Sequence, residues 1–115
     1  MLPRQSRVSR KQFPLIMMES RVFSSHVLSL RINRRLPNED DKPSKFAFIV
    51  SKKVAVRAVD RNKLKRRARA IDRELFGEIK DNFGCLLFFK KMATDLSYEE
   101  LKKTIREIFI RARMI

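Results

Sequence analysis

The stretch DRNKLKRRARAIDREL, residues 60–75, carries the pattern that decides the fold. Its apolar residues recur at spacings of four, three and four, which places neighbours on one side of an α-helix. They are Leu64, Ala68, Ile71 and Leu75. At about 100° per residue, these side chains occupy a stripe roughly 60° wide. Asp60 is a residue type favoured at helix N-caps, so we predict an amphipathic helix that begins there and packs its stripe on a core.

The same helix carries cations away from that stripe. A sector roughly 100° wide on the helical wheel holds Asn62, Lys65, Arg66, Arg69 and Arg73. Like charges four residues apart repel by about 0.2–0.5 kcal/mol per pair. Solvated faces usually mix signs and avoid this cost, whereas phosphate groups would reverse the sign of the interaction. The pattern therefore favours a nucleic-acid surface over a plain solvated face.

Two further interpretations concern the same helix. A membrane-surface helix is disfavoured, because it would carry large apolar and aromatic residues beside its cations. The sequence leaves two roles open for Asn62 and favours neither. Its amide can donate to and accept from a base edge or a ribose hydroxyl, or it can help to cap the helix.

Elsewhere in the chain, three short stretches have the residue patterns of β-strands. Residues 26–32 alternate as a strand, and residues 46–51 are rich in aromatic and branched side chains. We predict that these two strands pair through a hairpin-type loop over residues 33–44, which contain two prolines and an acidic triplet. The apolar run at 85–89 is typical of a buried strand.

Two capping boxes predict the remaining helices. Ser9 and Gln12 begin a short first helix, and Ser97 and Glu100 begin a last one. The last helix repeats its apolar residues at helical spacing, at Leu101, Ile105, Ile108 and Ala112. The order helix, two or more strands, helix, strand, helix predicts an α+β fold with one sheet.

The whole chain is basic. Its 115 residues hold 28 Lys and Arg against 13 Asp and Glu, a net charge of +15. Such an imbalance costs stability through self-repulsion, and a polyanionic partner is the usual reason to keep it. The length suits a single domain over residues 1–115. No apolar stretch approaches the roughly 18 to 20 residues of a membrane span, and none has the form of a signal peptide, so we expect a cytoplasmic protein.

Catalytic and metal patterns are weak throughout. Cys85 is the only cysteine and has no ligand neighbours, so we predict a buried thiol. His26 has no nearby nucleophile. The acidic triplet at 39–41 is interpreted as a solvated loop, and Glu99 and Glu100 as residues of a helix start.

Residues 45–50, Lys-Phe-Ala-Phe-Ile-Val, superficially resemble the aromatic strand of RNA-recognition-motif domains. The glycine expected after the basic residue is absent. We predict that these aromatic side chains belong to the core, with RNA stacking on one face of the strand as the alternative.

Two neighbouring motifs resemble the signature of the bacterial ribonuclease P protein. They are VSKKV at residues 50–54 and AVDRNKLKR at residues 58–66. The resemblance implies a two-layer αβ sandwich, ribosomal-protein-S5-domain-2-like, in the order α-β-β-(β)-α-β-α, with a left-handed βαβ crossover against the usual right-handed rule.

The resemblance also implies a function. The chain would be the RNA-binding subunit of a ribonucleoprotein that removes the 5′ leader from precursor tRNA. Its partners would be the catalytic ribonuclease P RNA and precursor tRNA, with no membrane and no obligate protein partner. The catalytic centre and most of the Mg²⁺ would lie in the RNA, so the protein alone would be inactive.

By position, the resemblance assigns two surfaces and no catalytic or metal-binding residue. The RNA-binding set is Lys52, Lys53, Arg61, Asn62, Lys63, Lys65, Arg66, Arg69 and Arg73. The leader would lie in a cleft between the first helix and the sheet, lined by Phe13, Met17 and Ser51.

Three positions depart from the family pattern. Lys63 replaces a usual second arginine, which keeps the charge but loses the planar fork. Ala55 replaces a usual glycine in a loop that is one residue longer, so we expect a different path into the helix. Met17 stands where an aromatic residue is common, so base stacking there should be weaker.

Two other functions would use the same features. A generic ribosome-associated or DNA-binding module could employ the basic helix, and comparable affinity for duplex DNA and folded RNA would favour it. A protein nuclease with its own site is disfavoured, because no convincing carboxylate pair, histidine or ligand cluster is present.

Overall fold

The computed structural model describes residues 7–33, 44–80 and 83–115. The helices are α1 (Gln12–Met18), α2 (Ala58–Leu75) and α3 (Tyr98–Arg111). The strands are β1 (Arg21–Ser24), β2 (Leu28–Asn33), β3 (Lys45–Ile49) and β4 (Gly84–Phe89). The element order α-β-β-β-α-β-α confirms the prediction and includes the optional third strand.

The sheet has the order β1-β2-β4-β3, so β4 separates the two strands that were expected to pair. β2 is antiparallel to both β1 and β4, whereas β3 is parallel to β4. The predicted hairpin between β2 and β3 was therefore wrong. β4 is apolar on both faces, and this suits a central strand covered on both sides. Residues 34–43 of the predicted loop, with the acidic triplet, lie outside the described residues.

The first capping box is confirmed. The Ser9 hydroxyl accepts from the Gln12 N–H at 3.2 Å, and Gln12 Oε1 accepts from the Ser9 N–H at 3.0 Å. α1 itself has Lys11 as its N-cap, and Pro14 is its third residue, in the first turn, where proline is tolerated. This local network begins a short helix despite the proline.

α2 begins earlier than predicted. Its N-cap is Arg57, so the expectation that Asp60 caps the helix was wrong. Asp60 lies in the first turn, where its carboxylate accepts from the Arg57 guanidinium at 2.9 and 3.2 Å. This hydrogen bond lowers the pKa of Asp60. An acid in the first turn also suits the positive end of the helix dipole.

Ala55 fits its position without strain. Within the described ranges, Arg113 is the only non-glycine residue with a positive φ, so Ala55 does not need the conformation that glycine favours. Its methyl group is buried in the main core. The N–H groups of Val54 and Ala55 donate to the Ser51 carbonyl at 3.1 and 3.2 Å, which forms the turn after β3.

The second capping box is also confirmed. The Ser97 hydroxyl accepts from the Glu100 N–H at 3.2 Å, and the Glu100 carboxylate accepts from the Ser97 N–H at 3.0 Å. The four apolar residues predicted to face the core from this end of the chain are all buried: Leu101, Ile105, Ile108 and Ala112. Cys85 is a free, buried thiol as predicted, and burial raises its pKa well above the ordinary value.

The sheet separates two apolar clusters. α2 and α3 pack on one face, and the predicted stripe of α2 is fully buried there. The aromatic side chains of β3 join this core, because Phe46 lies 6.4 Å from Phe48 and 6.0 Å from Phe109 between ring centroids. α1 lies on the opposite face, where Ile16 packs with Leu86. The outward surface of α2 and the surface beside α1 therefore lie on opposite sides of the sheet.

Candidate nucleic-acid interface

The outward surface of α2 is cationic because its opposite stripe is held in the core. Asn62, Arg66 and Arg73 are exposed, and Arg69 is half-buried beside them. Together with Ala70 they line a shallow depression of about 440 Å³. Lys65 is half-buried on the same helix. The structure thus brings together most of the predicted basic sector.

These cations are not neutralised inside the protein. The ion pairs found in residues 7–33, 44–80 and 83–115 are Arg57–Asp60, Lys102–Glu74 and Arg106–Glu78. None of them involves a residue of the depression. An exposed surface of one charge sign raises the local concentration of anionic ligands and speeds their association. The depression can therefore bind phosphate groups without first breaking an internal ion pair.

Lys52 and Lys53 lie on the turn that joins β3 to α2, and both are exposed. The turn closes through the hydrogen bonds to the Ser51 carbonyl, and α2 begins at Ala58. The two lysines thus precede the basic helix as a second cationic segment.

Arg61 is placed differently from the other predicted RNA-binding residues. Its side chain is only partly exposed, and Nη1 donates to the carbonyl oxygens of Ala55 and Val56 at 2.9 and 2.6 Å. The spacing of residues gave no indication of this contact. It ties the first turn of α2 to the preceding loop.

Lys63 lies apart from the main depression. It lines a second depression of about 310 Å³ with Asp60, Arg67 and Thr94, over an apolar floor that includes Ala55. On a helical wheel Lys63 is about 100° from Asn62, although the two are adjacent in sequence. The structure therefore divides the predicted basic motif between two sides of the helix.

Asn62 does not cap α2. It is the fifth residue of the helix, and the N-cap is Arg57. Its exposed amide lies in the depression with Arg66, Arg69 and Arg73. The structure therefore rules out the capping role, and contact of Asn62 with a partner stays a prediction.

The predicted leader-binding residues belong to two parts of the fold, since Phe13 and Met17 lie in α1 and Ser51 lies in the turn after β3. Phe13 is half-buried against the Ile16–Leu86 cluster, and Met17, one turn later, is 36% exposed. Ser51 is exposed and follows Val50, whose side chain is buried in the core on the other face of the sheet.

The surface beside α1 includes residues that the sequence motifs did not indicate. Ile49 of β3 and Phe88 of β4 are half-buried there, and they are register partners in the parallel pair. Val22 of β1 is 51% exposed. The alternation of Leu86 and Phe88 in β4 could have indicated a second face, but only the strand pairing shows which residues share it.

Asp72 is an unexpected feature of α2. Its side chain is 1% exposed, and neither carboxylate oxygen has a hydrogen-bond partner among the described residues. Loss of hydration raises the pKa of Asp72 to about 8. The pKa of the Cys85 thiol is raised mainly by its own burial, and the charge of Asp72 adds to this effect. This acid does not neutralise the cationic surface.

Other kinds of site find little support in the part of the chain that the structure describes. It contains no group of three or more His, Cys, Asp or Glu side chains placed to hold a metal ion. None of its helices has the length and apolar character needed to span a membrane. The cationic surface is the feature of this structure best suited to a partner.

Comparison with known proteins places these features in context. A family model described as Ribonuclease P matches residues 2–113. The ribonuclease P protein component of Pseudanabaena sp. is 31% identical over 116 residues, covering 100% of this chain and 97% of that protein. The corresponding protein of Synechococcus elongatus is 33% identical over 116 residues, covering 99% of this chain and 95% of that protein.

Solved structures agree in fold. The RNase P protein of Staphylococcus aureus superposes with a TM-score of 0.82 at 18% identity, over 95% of this chain and 96% of that one. The RNase P protein of Thermotoga maritima gives a TM-score of 0.80 at 22% identity, over 91% of this chain and 96% of that one. The element order and the β3–α2–β4 crossover of this chain are consistent with these structures.

Proposed function

Because this chain belongs to the ribonuclease P protein family, we propose that it binds the catalytic RNA of ribonuclease P and assists removal of the 5′ leader from precursor tRNA. Members of this family are protein components of a ribonucleoprotein endoribonuclease that processes tRNA. The proposed contact with the catalytic RNA is the outward surface of α2 together with Lys52 and Lys53.

The observation that carries the proposal is the unpaired charge of this surface. Arg66, Arg69 and Arg73 surround one depression, and none has a carboxylate partner within the described ranges. Phosphate contacts by such residues would provide affinity, and Asn62 would supply a neutral donor and acceptor for a base edge or a ribose hydroxyl. Lys63 would contact RNA only if the RNA also reaches the other side of α2.

We propose that the 5′ leader lies along the surface beside α1, over Phe13, Met17 and Ser51. Phe13 offers an aromatic edge or face, and Ile49 and Phe88 extend the apolar surface along the sheet. Unpaired bases stack on such surfaces with little sequence preference. Met17 would contribute a flexible apolar contact, which should hold a base less firmly than an aromatic ring.

We propose that the cleavage chemistry belongs to the RNA subunit. Glu99 and Glu100 lie in the first turn of α3, where Glu100 is occupied by the capping box. The described residues offer no cluster that fits Mg²⁺, so we derive no metal-dependent step on this protein and assign Mg²⁺ mainly to the RNA. The expected cellular location is the cytoplasm, together with precursor tRNA.

The test is cleavage of a 5′-extended precursor tRNA by a bacterial ribonuclease P RNA at low Mg²⁺, with and without the protein. We expect the protein to be inactive alone and to restore cleavage at the mature 5′ end when the RNA is present. A protein that binds the RNA but never assists cleavage would contradict the proposal. Equal affinity for duplex DNA and folded RNA would instead support a generic binding module.

Phe13→Ala tests the leader surface. We expect about tenfold weaker binding of precursor tRNA to the holoenzyme and little change for mature tRNA, because one base loses its stacking partner. Leu15→Ala is the matched control, since Leu15 is an exposed apolar residue of the same helix, about 200° from Phe13 on the wheel. Equal losses for precursor and mature tRNA would place the leader elsewhere.

A further inference from the structure

Arg61 differs from the other cations of α2 in what its guanidinium contacts. Nη1 donates to two successive carbonyl oxygens, at 2.9 Å to Ala55 and 2.6 Å to Val56. Hydrogen bonds from a charged group to a carbonyl are stronger than neutral ones. Arg66, Arg69 and Arg73 have no comparable contact in the part of the chain that is described. Arg61 is therefore engaged with the protein itself.

Both carbonyls belong to the loop that carries Lys52 and Lys53. The first half of this loop is closed by the turn at Ser51, and Ala55 is anchored in the core. Val56 is 83% exposed, so its side chain contributes almost no packing. The Arg61 contacts tie the backbone at Ala55 and Val56 to the first turn of α2, and the Arg57–Asp60 pair adds a side-chain contact at the N-cap.

We propose that Arg61 is a positioning residue, which holds the loop so that Lys52 and Lys53 engage the same RNA as Arg66, Arg69 and Arg73. A loop ordered before binding does not lose its conformational freedom on binding, so its cations contribute more affinity. The inference rests on the proposed function, since it concerns the same RNA-binding surface. It changes the role of Arg61 from a direct phosphate contact to an indirect one.

The geometry favours this role over phosphate binding. A bidentate phosphate contact uses parallel N–H groups of one guanidinium. In Arg61 the Nη1 group is directed at the loop carbonyls, so a phosphate contact through Nη1 would have to compete with two existing hydrogen bonds, and the guanidinium is held beside the loop. An arginine without such bonds, as at Arg66, meets no such competition.

A double-mutant cycle separates the two roles. Affinity for ribonuclease P RNA is measured for the wild type, Arg61→Ala, the pair Lys52→Ala/Lys53→Ala, and the triple variant. We expect Arg61→Ala to weaken binding about tenfold in the wild type and less than about twofold when both lysines are absent. Arg66→Ala is the matched control and should cost the same factor in both backgrounds. The same factor for Arg61→Ala in both backgrounds would overturn the inference.

Amide hydrogen exchange of the free protein provides a readout that needs no RNA. Exchange at Val54 and Ala55 should accelerate in Arg61→Ala and stay unchanged in Arg66→Ala, because the side chain of Arg61, unlike that of Arg66, is hydrogen-bonded to this loop. Arg61→Lys keeps the positive charge but removes the guanidinium. The same measurements are made on Arg61→Lys if Arg61→Ala fails to fold. Full recovery of RNA affinity by Arg61→Lys while the loop still exchanges rapidly would overturn the inference, as would unchanged exchange in Arg61→Ala.

If the wild type binds no ribonuclease P RNA, the proposed function fails, whereas the exchange result still decides whether Arg61 orders the loop.

Discussion

α2 and α3 pack on the same face of the sheet, yet their charged residues are arranged in opposite ways. On α3, Lys102 pairs with Glu74 at 2.7 Å and Arg106 pairs with Glu78 at 2.9 Å. On α2, Arg66 and Arg69 have no acidic partner among the described residues. Both helices bury an apolar stripe, so amphipathicity alone does not distinguish them. The pairing of their charges distinguishes a structural helix from one that is available to a polyanion.

The two arrangements are connected. The acids that pair with α3 come from the end of α2 and the turn after it, so they are not available to the cations of the α2 surface. Hydrogen bonds from Lys102 and Tyr98 lower the pKa of Glu74. After its first turn α2 contains two acids: Glu74 pairs with Lys102 of α3, and Asp72 is buried. α2 therefore presents cations outward although its sequence contains acids.

Asp72 should produce the largest effect, on stability. Its folded pKa of about 8 exceeds the ordinary value of 3.8, so the folded state keeps a proton that the unfolded state releases. The contribution of Asp72 to the free energy of unfolding should be most favourable below about pH 4, should fall as the pH rises towards about 8, and should level off above it. Asp72→Asn removes this ionisation and should stabilise the protein by about 2 kcal/mol at pH 8.

Urea unfolding at pH 5 and pH 8 measures this effect. The difference in unfolding free energy between the two pH values should shrink in Asp72→Asn. Asp95→Asn, which changes an exposed carboxyl, should leave the difference in place. If the unfolding free energy of Asp72→Asn changes with pH in parallel with that of the wild type, Asp72 is hydrated or paired. Its contrast with Glu74 and Glu78, the acids that pair with α3, then disappears.

Charge reversal compares the two helices directly. Arg66→Glu should weaken binding of ribonuclease P RNA about thirtyfold, because a carboxylate would repel the phosphates that the arginine attracts. Lys103→Glu makes the same change in net charge at an exposed position of α3 and should cost less than about threefold. Similar losses for both variants, measured at one salt concentration, would mean that overall charge rather than the α2 surface determines binding.

Truncation of single arginines on α2 tests which of them contact the RNA. Arg66→Ala or Arg69→Ala should weaken RNA binding by about fivefold and should reduce the slope of log K against log salt by about one per contact. The measurement is a salt titration of RNA affinity, with Arg106→Ala as the control because Arg106 is paired with Glu78. An unchanged slope would remove the truncated residue from the interface.

The ion pair between Lys102 and Glu74 should produce the smallest effect. Both side chains are substantially exposed, at 34% and 45%, so Lys102→Ala should change the stability of the protein only slightly. RNA affinity should change little, unless the freed Glu74 repels the RNA. A measurable loss of affinity with an unchanged unfolding midpoint would show that α3 helps to keep this acid away from the RNA surface.

Features that depend on neighbours in sequence were predicted correctly. The stripe from Leu64 to Leu75, the run at 85–89 and the capping box at Ser97 all appear in the structure. The boundary of α2 was wrong, because Asp60 pairs with Arg57 in the first turn and does not cap the helix. The short strand β1 received no separate prediction, since its four residues show too little alternation.

The sequence by itself determined the helical and strand periods, the basic sector and the family motifs, because these depend on the identity and spacing of residues along the chain. Only the tertiary structure decided that β4 lies between β2 and β3, that Asp72 is buried with no hydrogen-bond partner among the described residues, and that Arg61 donates to carbonyls of the preceding loop. The physical reason is distance along the chain. Strand partners and the burial of a charge result from contacts between segments that local spacing does not encode, whereas a helix face is set by residues within a few turns of one another.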